Sequence, residues 1–314
     1  MPLVSVLAPI WPRPRSGYED APGVPAPDAG PLPPTVHSIA VGSPSPDARR
    51  ALTGESSLLV DVLGRGFLPV RTHLGCLVAE GDPVLRPGSG SSWHLIRAFL
   101  DLARASGRFP VLREVSPEMA DQYRRMGLRI RRTGIRSRVP LDHVDPGSDV
   151  HSPVLRAAAE AETRGLRAEI LSEGRALTQL AALARVSPRL DAASLQGASV
   201  ILIRDGHQVV AWARLWTGEQ GGEVRLDRVR TGEALRAGPI DLLLAEALQW
   251  SRGVGAISLV LPDAGPGQHD AWRRLSDSVP LVHEPRYTAS PRGLRGRLAS
   301  ILVRLRTPGL ILPV

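Results

Sequence analysis

The sequence predicts an α/β protein built from two domains, each with its own mixed sheet flanked by helices. Its 314 residues exceed the roughly 100 to 200 residues of a typical single domain. The hydrophobic fraction of 43% is ordinary for a globular protein, and short strand-like segments alternate with amphipathic helical ones. We therefore expect one domain at residues 35–145 and another at residues 146–314, behind a leader at residues 1–34.

The leader is dense in Pro, Gly, Ala and Asp and shows almost no periodic apolar pattern. Such a segment cannot bury enough apolar surface to offset the entropy lost when a chain becomes ordered. Its first apolar run has no basic residue before it and is broken by prolines, unlike a secretory signal. We expect residues 1–34 to be disordered.

Two helices are predicted in the first domain. Residues 93–107 repeat apolar side chains at helical spacing and end at a glycine. A shorter helix begins at Pro117, with Ser116 as its N-cap and Gly127 after its end. The apolar segments around these helices predict strands, and the arginine-rich segment at residues 128–141 has the alternation of a half-exposed pair of strands.

The second domain is predicted to contain a hairpin followed by a strand, a helix and another strand. Asp205-Gly206 is a strong turn signal between two apolar strands. The following segments, residues 223–230, 239–255 and 256–262, have strand, helix and strand patterns respectively. This order is the central motif of an acetyltransferase-like fold.

The last predicted helix, residues 293–306, has leucines and an isoleucine on one face and arginines largely elsewhere. A basic amphipathic helix suits a membrane interface, whereas packing against its own domain is the alternative. We expect contact with a membrane or with tRNA through Arg297, Arg304 and Arg306.

The basic residues are all arginine, because the sequence contains no lysine. The formal charge of +8 favours an anionic partner, although an arginine excess without lysine or asparagine equally fits a GC-rich genome. The missing lysines exclude P-loop, protein-kinase and Schiff-base chemistry.

Cys76 is the only cysteine, so the chain has neither an intramolecular disulfide nor a thiolate zinc cluster. The eight histidines are scattered without a helical pair, and no apolar run reaches the length of a membrane helix. We expect a soluble cytoplasmic protein without a metal.

Several separated motifs, in the same order, resemble the cytosolic catalytic domain of the lysyl- and alanyl-phosphatidylglycerol synthases, the multiple peptide resistance family. The resemblance runs from about Leu74 to Leu298. Its motifs are Gly81-Asp82-Pro83-Val84, a helix that places Arg156 on the family arginine, a strand carrying Asp227 and Arg230, and then Gly238 and Asp241. The chain departs from the family pattern between about residues 176 and 197, among other places, because it has only a short Ala/Leu helix and turn there.

This resemblance implies two tandem acetyltransferase-like domains that move an aminoacyl group from charged tRNA to the glycerol hydroxyl of phosphatidylglycerol. One ester is exchanged for another, so no cofactor is expected. The implied partners are aminoacyl-tRNA, anionic phospholipid at the inner face of the membrane, and a separate membrane-embedded flippase, since the family's membrane domain is not expected in this chain.

The resemblance also implies roles for individual residues. Asp227 suits contact with the aminoacyl ammonium or proton transfer, and Arg230 suits bidentate binding of a phosphate. Arg156, Asp82, Gly238 and Asp241 are expected to bind substrate. In an ideal strand, however, Asp227 and Arg230 point to opposite faces, so their convergence requires a bulge, a twist or the end of the strand.

Two other functions remain open from the sequence. A coenzyme A-dependent N-acyltransferase is the first, because the turn before Gly238 lies where such enzymes bind pyrophosphate at a helix N-terminus. The second is a non-catalytic protein that binds tRNA or an anionic surface through a group of arginines, namely Arg124, Arg125, Arg129, Arg131, Arg132, Arg136 and Arg138.

Overall fold

The computed structural model describes nine stretches of the chain, residues 10–11, 33–53, 56–90, 92–142, 152–188, 190–218, 222–232, 238–262 and 268–293. Their internal contacts divide them into two units. Unit 1 takes the described residues up to 43, those from 56 to 135 and those from 284 onward. Unit 2 takes residues 44–53 and the described residues from 136 to 283. Each unit is therefore discontinuous in sequence.

The elements up to the middle of the chain are, in order, β1 (Ile10–Trp11), α1 (Pro34–Val41), α2 (Pro46–Arg50), β2 (Ser57–Val60), β3 (Gly66–His73), β4 (Cys76–Glu80), β5 (Val84–Leu85), α3 (Trp93–Ala105), β6 (Phe109–Val115), α4 (Pro117–Arg125) and β7 (Arg129–Pro140). They are followed by α5 (Pro153–Thr163), β8 (Leu166–Leu171), α6 (Glu173–Thr178), α7 (Leu180–Val186), β9 (Ser199–Asp205), β10 (Gln208–Thr217), β11 (Glu223–Thr231), α8 (Pro239–Gly253), β12 (Ser258–Leu261), α9 (His269–Ser276) and β13 (Val282–Ser290).

In unit 1 the strand order is β1-β2-β3-β4-β6-β13-β7, with β5 paired to β3. Strands β4 and β6 are parallel and are connected through α3, while β2, β3 and β4 run antiparallel. The apolar face of α3 places Ile96 and Phe99 in the core beside Tyr123 of α4. The predicted N-cap of α4 is confirmed, since the Ser116 hydroxyl accepts a hydrogen bond from the backbone N–H of Met119.

In unit 2 the strand order is β7-β12-β11-β10-β9-β8. The predicted hairpin at Asp205-Gly206 is confirmed. The predicted order of strand, helix and strand is also confirmed, because α8 connects β11 to β12 and these two strands pair in parallel. One face of the sheet packs against α5 and α8, and the other packs against α6 and α7. These features confirm the predicted acetyltransferase-like α/β fold class.

The expected pair of strands at residues 128–141 is wrong. Residues 129–140 form one strand of 12 residues instead. Its first part belongs to unit 1 and its second part to unit 2.

Two residues near the start of the expected leader lie in the described part of the chain. Ile10 and Trp11 form β1, which pairs antiparallel with Leu59 and Leu58 of β2. Both are good strand formers, and they pair with a strand that otherwise ends the sheet. The other residues of the leader up to residue 32 lie outside the described part of the chain.

Residues 44–53 form a strap on unit 2. Asp47 of the strap forms ion pairs with Arg136 of β7 and Arg225 of β11, and Arg49 donates a hydrogen bond to Thr217 of β10. The backbone approaches β10 so closely that a Cβ atom on Gly218 would lie 2.0 Å from the carbonyl oxygen of Pro44. A glycine is therefore required at this position.

We expect Gly218→Ala to displace the strap and to destabilise the protein by about 2 kcal/mol or more, since a backbone atom must move. Gly253→Ala in α8 is the matched control, because a Cβ atom there would meet nothing within 4 Å. Urea unfolding of both variants measures the effect. Equal stability of the two alanine variants would contradict the close contact.

Candidate functional site

Asp227 and Arg230 lie on the same face of the unit 2 sheet. Asp227 pairs with Arg214 of β10, and Arg230 pairs with Trp212, so two residues of β11 stand opposite one residue of β10. Arg228, within this bulge, has a positive φ of 50°. The extra residue reverses the alternation of side chains along the strand. It therefore supplies the bulge that Asp227 and Arg230 need in order to lie on one face.

The face that carries them is occupied by alternate residues of β10, which are Trp212, Arg214 and Trp216. All three are completely buried. The indole N–H groups of Trp212 and Trp216 have no hydrogen-bond acceptor within the described residues. Buried donors without an acceptor are rare in native structures.

Asp227 is held by Arg214. An Nη atom of Arg214 lies 2.5 Å from a carboxylate oxygen of Asp227, and the other Nη donates to the carbonyl oxygen of Ser194 at 2.8 Å. The guanidinium carbon lies 5.2 Å from the ring centre of Trp216. The side chain of Asp227 keeps 17% of its surface exposed, whereas that of Arg214 keeps 1%.

Arg230 lies one residue before the end of β11 and is exposed. One of its Nη atoms donates to the neighbouring carbonyl oxygen of Val229 at 3.2 Å. An exposed guanidinium at the end of a strand is available for an anionic group.

The bulge lies beyond the part of β11 that pairs with β12. Parallel pairing covers only Glu223 to Arg225 of β11. Farther along, the side-chain amide of Gln268 donates to the carbonyl oxygen of Val229 at 3.3 Å, in place of a neighbouring strand. Within the described residues, Asp227 and Arg230 therefore belong to a section of β11 that has a paired strand on one side only.

Asp82 lies in unit 1 and has structural contacts. One carboxylate oxygen accepts from the backbone N–H of Ser116 at 2.9 Å, and the other accepts from the hydroxyl of Tyr123 at 3.1 Å. Burial raises the pKa of Asp82, although these hydrogen bonds act in the opposite direction. Burial and the nearby carboxylate also raise the pKa of Tyr123. Asp82 thus ties the turn after β4 to the start of α4, and its substrate-binding role stays a prediction.

The raised pKa of Asp82 predicts a pH dependence of stability. The stabilisation that comes from protonated Asp82 is fully present below about pH 4, the pKa of this group in the unfolded chain. It is lost as pH rises through the higher pKa of the folded protein. Asparagine accepts a hydrogen bond but does not titrate, so Asp82→Asn should become more stable relative to wild type between pH 4 and pH 7. Urea unfolding at several pH values measures this difference, and a difference that is independent of pH would contradict it.

Gly238 and Asp241 lie at the start of α8, where packing explains both. A Cβ atom on Gly238 would lie 2.9 Å from the Cβ atom of Ala161 in α5, and its φ is 123°. Asp241 is almost completely buried and accepts two hydrogen bonds, each 2.7 Å long, from Arg274 of α9. Their binding roles stay predictions.

Arg156 is exposed on α5, and the described residues offer no hydrogen bond or ion pair to its side chain. Arg297, Arg304 and Arg306 lie outside the described residues, as does most of the predicted basic helix. No described helix is long and apolar enough to cross a membrane.

Arg214 and Ser194 were not predicted from the sequence. The sequence does contain a signal for Arg214, which lies between two tryptophans at alternate positions of a central strand. This pattern indicates a buried cation, and a buried cation requires a partner. Nothing in the sequence indicated the carbonyl oxygen of Ser194.

Known structures resemble this chain over most of its length. The C-terminal domain of a putative lysylphosphatidylglycerol synthetase from Agrobacterium fabrum has 20% identity and a TM-score of 0.75, over 90% of this chain and 98% of that one. L-PGS from Bacillus licheniformis has 18% identity and a TM-score of 0.73, with the same coverage of 90% and 98%. A conserved protein of unknown function from Bacteroides thetaiotaomicron has 10% identity and a TM-score of 0.62, over 82% and 96%. At these identities the likeness establishes the fold.

The family is established by the sequence itself. No curated protein matches the chain. Residues 40–291, however, match the family described as phosphatidylglycerol lysyltransferase, C-terminal, which confirms the family that the motifs indicated. The match spans most of the chain and includes both Asp82 and the β11 pair. The chain therefore belongs to the family of phosphatidylglycerol lysyltransferase C-terminal domains.

Proposed function

We propose that this protein transfers an aminoacyl group from aminoacyl-tRNA to a lipid hydroxyl, with phosphatidylglycerol as the first candidate acceptor. The observation that carries the proposal is the bulge in β11, which brings Asp227 and Arg230 to one face of the sheet. Membership of the family supports the same reaction class.

The reaction exchanges one ester for another. The lipid hydroxyl attacks the carbonyl carbon of the aminoacyl ester and loses its proton, and the terminal ribose hydroxyl of tRNA leaves with a proton. Catalysis requires alignment of the two substrates, a proton acceptor and stabilisation of the tetrahedral oxyanion. This ester exchange needs no ATP, metal or cofactor.

Asp227 and Arg230 have complementary chemistry for this reaction. Because Arg214 holds one end of the Asp227 carboxylate, the group is oriented either to bind the aminoacyl ammonium or to accept the hydroxyl proton. The exposed guanidinium of Arg230 suits a phosphate of the lipid or of the tRNA end. We propose Arg156 as a further contact for an anionic substrate.

The location that fits this proposal is the cytoplasm, with peripheral attachment to the inner face of the membrane. The lipid acceptor is found there, and residues 293–306 carry the sequence pattern of a basic interfacial helix. A separate membrane-embedded flippase would move the product to the outer leaflet.

Structural contacts account for some of the residues on which both alternative functions depend. At the start of α8, where the N-acyltransferase would bind pyrophosphate, Gly238 is packed against α5 and the buried carboxylate of Asp241 is paired with Arg274. In the arginine group, Arg136 and Arg138 already pair with Asp47 and Glu223. These two arginines have structural partners that account for them.

The test is to incubate the purified chain with a mixture of tRNAs charged with labelled amino acids and with phosphatidylglycerol vesicles. Label in the lipid fraction that requires both substrates supports the proposal. Parallel reactions contain labelled acetyl-coenzyme A and amine acceptors. Activity only in those reactions would favour the N-acyltransferase, and vesicle or tRNA binding without transfer would favour the non-catalytic protein.

A further inference from the structure

We propose that Arg214 is a positioning residue that fixes the carboxylate of Asp227 for aminoacyl transfer. The inference rests on the proposed function, and it names a residue that the family motifs did not indicate. Arg214 touches no substrate in this scheme, because its side chain is buried behind Asp227.

The guanidinium of Arg214 is fixed from three directions. It bonds to Asp227 at 2.5 Å and to the carbonyl oxygen of Ser194 at 2.8 Å, and it stacks over the Trp216 ring at 5.2 Å. Two of its nitrogens are committed to different elements, so the plane of the group has little freedom. The carboxylate that it binds is consequently held in one orientation.

Ser194, which accepts the second hydrogen bond from Arg214, is itself held in place. Ser194 lies in a 3-10 turn at Ala193–Leu195, and both its backbone N–H and its hydroxyl donate to Asp191, at 2.8 and 2.6 Å. Arg214 therefore connects a rigid turn to the bulged strand. This turn lies in residues 176–197, one of the regions where the chain departs from the family pattern.

Stability alone is a poor reason for such an ion pair. Burying a guanidinium is costly, and well-packed apolar residues of similar volume are often as stabilising as a buried ion pair. Arginine also has a geometric advantage over lysine, because a planar fork reaches Asp227 and Ser194 together whereas a single ammonium does not. Both arguments favour a role in orienting Asp227.

The test is a double-mutant cycle on aminoacyl transfer, with Arg214→Lys, Asp227→Asn and the double variant. Lysine keeps the charge, so the fold should survive. We expect Arg214→Lys to lower kcat by about tenfold or more with KM changed less than about twofold, since a misoriented group affects the transition state more than binding. In the Asp227→Asn background the same change should have almost no further effect, because Arg214 acts through Asp227.

Arg225→Lys is the matched control, since Arg225 lies on the neighbouring strand and pairs with Asp47 in the strap. It should lower the melting temperature without lowering kcat. Wild-type kcat in Arg214→Lys, or losses that multiply in the double variant, would overturn the inference while leaving the proposed function intact. A wild-type protein without transfer would overturn both.

Discussion

Replacing Asp227 with asparagine is expected to lower aminoacyl transfer by at least about 100-fold, the typical effect of removing one electrostatic group from an active site. The change keeps the size of the side chain and removes its charge. Transfer is measured as labelled lipid formed per minute at saturating aminoacyl-tRNA. Asp270→Asn is the control, because Asp270 lies on α9 and its side chain is 76% exposed. Transfer at the wild-type rate by Asp227→Asn would remove the main argument for this site.

The same substitution is also expected to destabilise the protein. From the sequence alone, Asp227→Asn would leave the fold intact because the two side chains have the same size. The structure corrects this expectation, since the substitution removes a negative charge that contacts the buried guanidinium of Arg214. We expect a loss of about 3 kcal/mol, or roughly 6 to 12 °C in melting temperature. Transfer by this variant is therefore measured well below its melting temperature.

Replacing Arg274 with glutamine is expected to destabilise the protein by about 3 kcal/mol or more, because it leaves the buried carboxylate of Asp241 unpaired. Both oxygens of Asp241 are bonded to Arg274, and the Asp241 side chain is only 2% exposed. The free energy of unfolding is measured by urea titration.

Arg273→Gln is the control for this effect, since Arg273 lies beside Arg274 in α9 but is 72% exposed and pairs with exposed Asp270. It should change stability by less than about 1 kcal/mol. Equal effects of the two glutamine variants would contradict the structural role of Asp241. A lowered kcat/KM in folded Asp241→Asn would support the substrate-binding role that the sequence resemblance implied.

Local signals explain the parts of the fold that the sequence predicted correctly. The hairpin at Asp205-Gly206 follows from a turn dipeptide, and the N-cap of α4 follows from Ser116 and Pro117. The parallel pair around α8 follows from an apolar strand, an amphipathic helix and a second apolar strand in sequence.

Long-range pairing explains the parts of the fold and of the site that the sequence did not predict. Strand β7 pairs with β12, a partner far away in sequence, and local periodicity does not contain such pairing. The bulge at Arg228 involves no glycine, so it lacked the usual marker of a positive φ. The contact between Arg214 and Asp227 depends on the register between two strands, which only the structure supplies.

The most direct test of the account is the chemical identity of the lipid product. Wild-type protein, aminoacyl-tRNA and phosphatidylglycerol vesicles are incubated together, and the extracted lipids are analysed by mass spectrometry. The account predicts phosphatidylglycerol that is heavier by one aminoacyl residue, abundant with wild type and strongly reduced with Asp227→Asn and with Arg230→Lys, in which a point charge replaces a planar fork. Absence of this product with every aminoacyl-tRNA, or equal amounts from wild type and both variants, would contradict it.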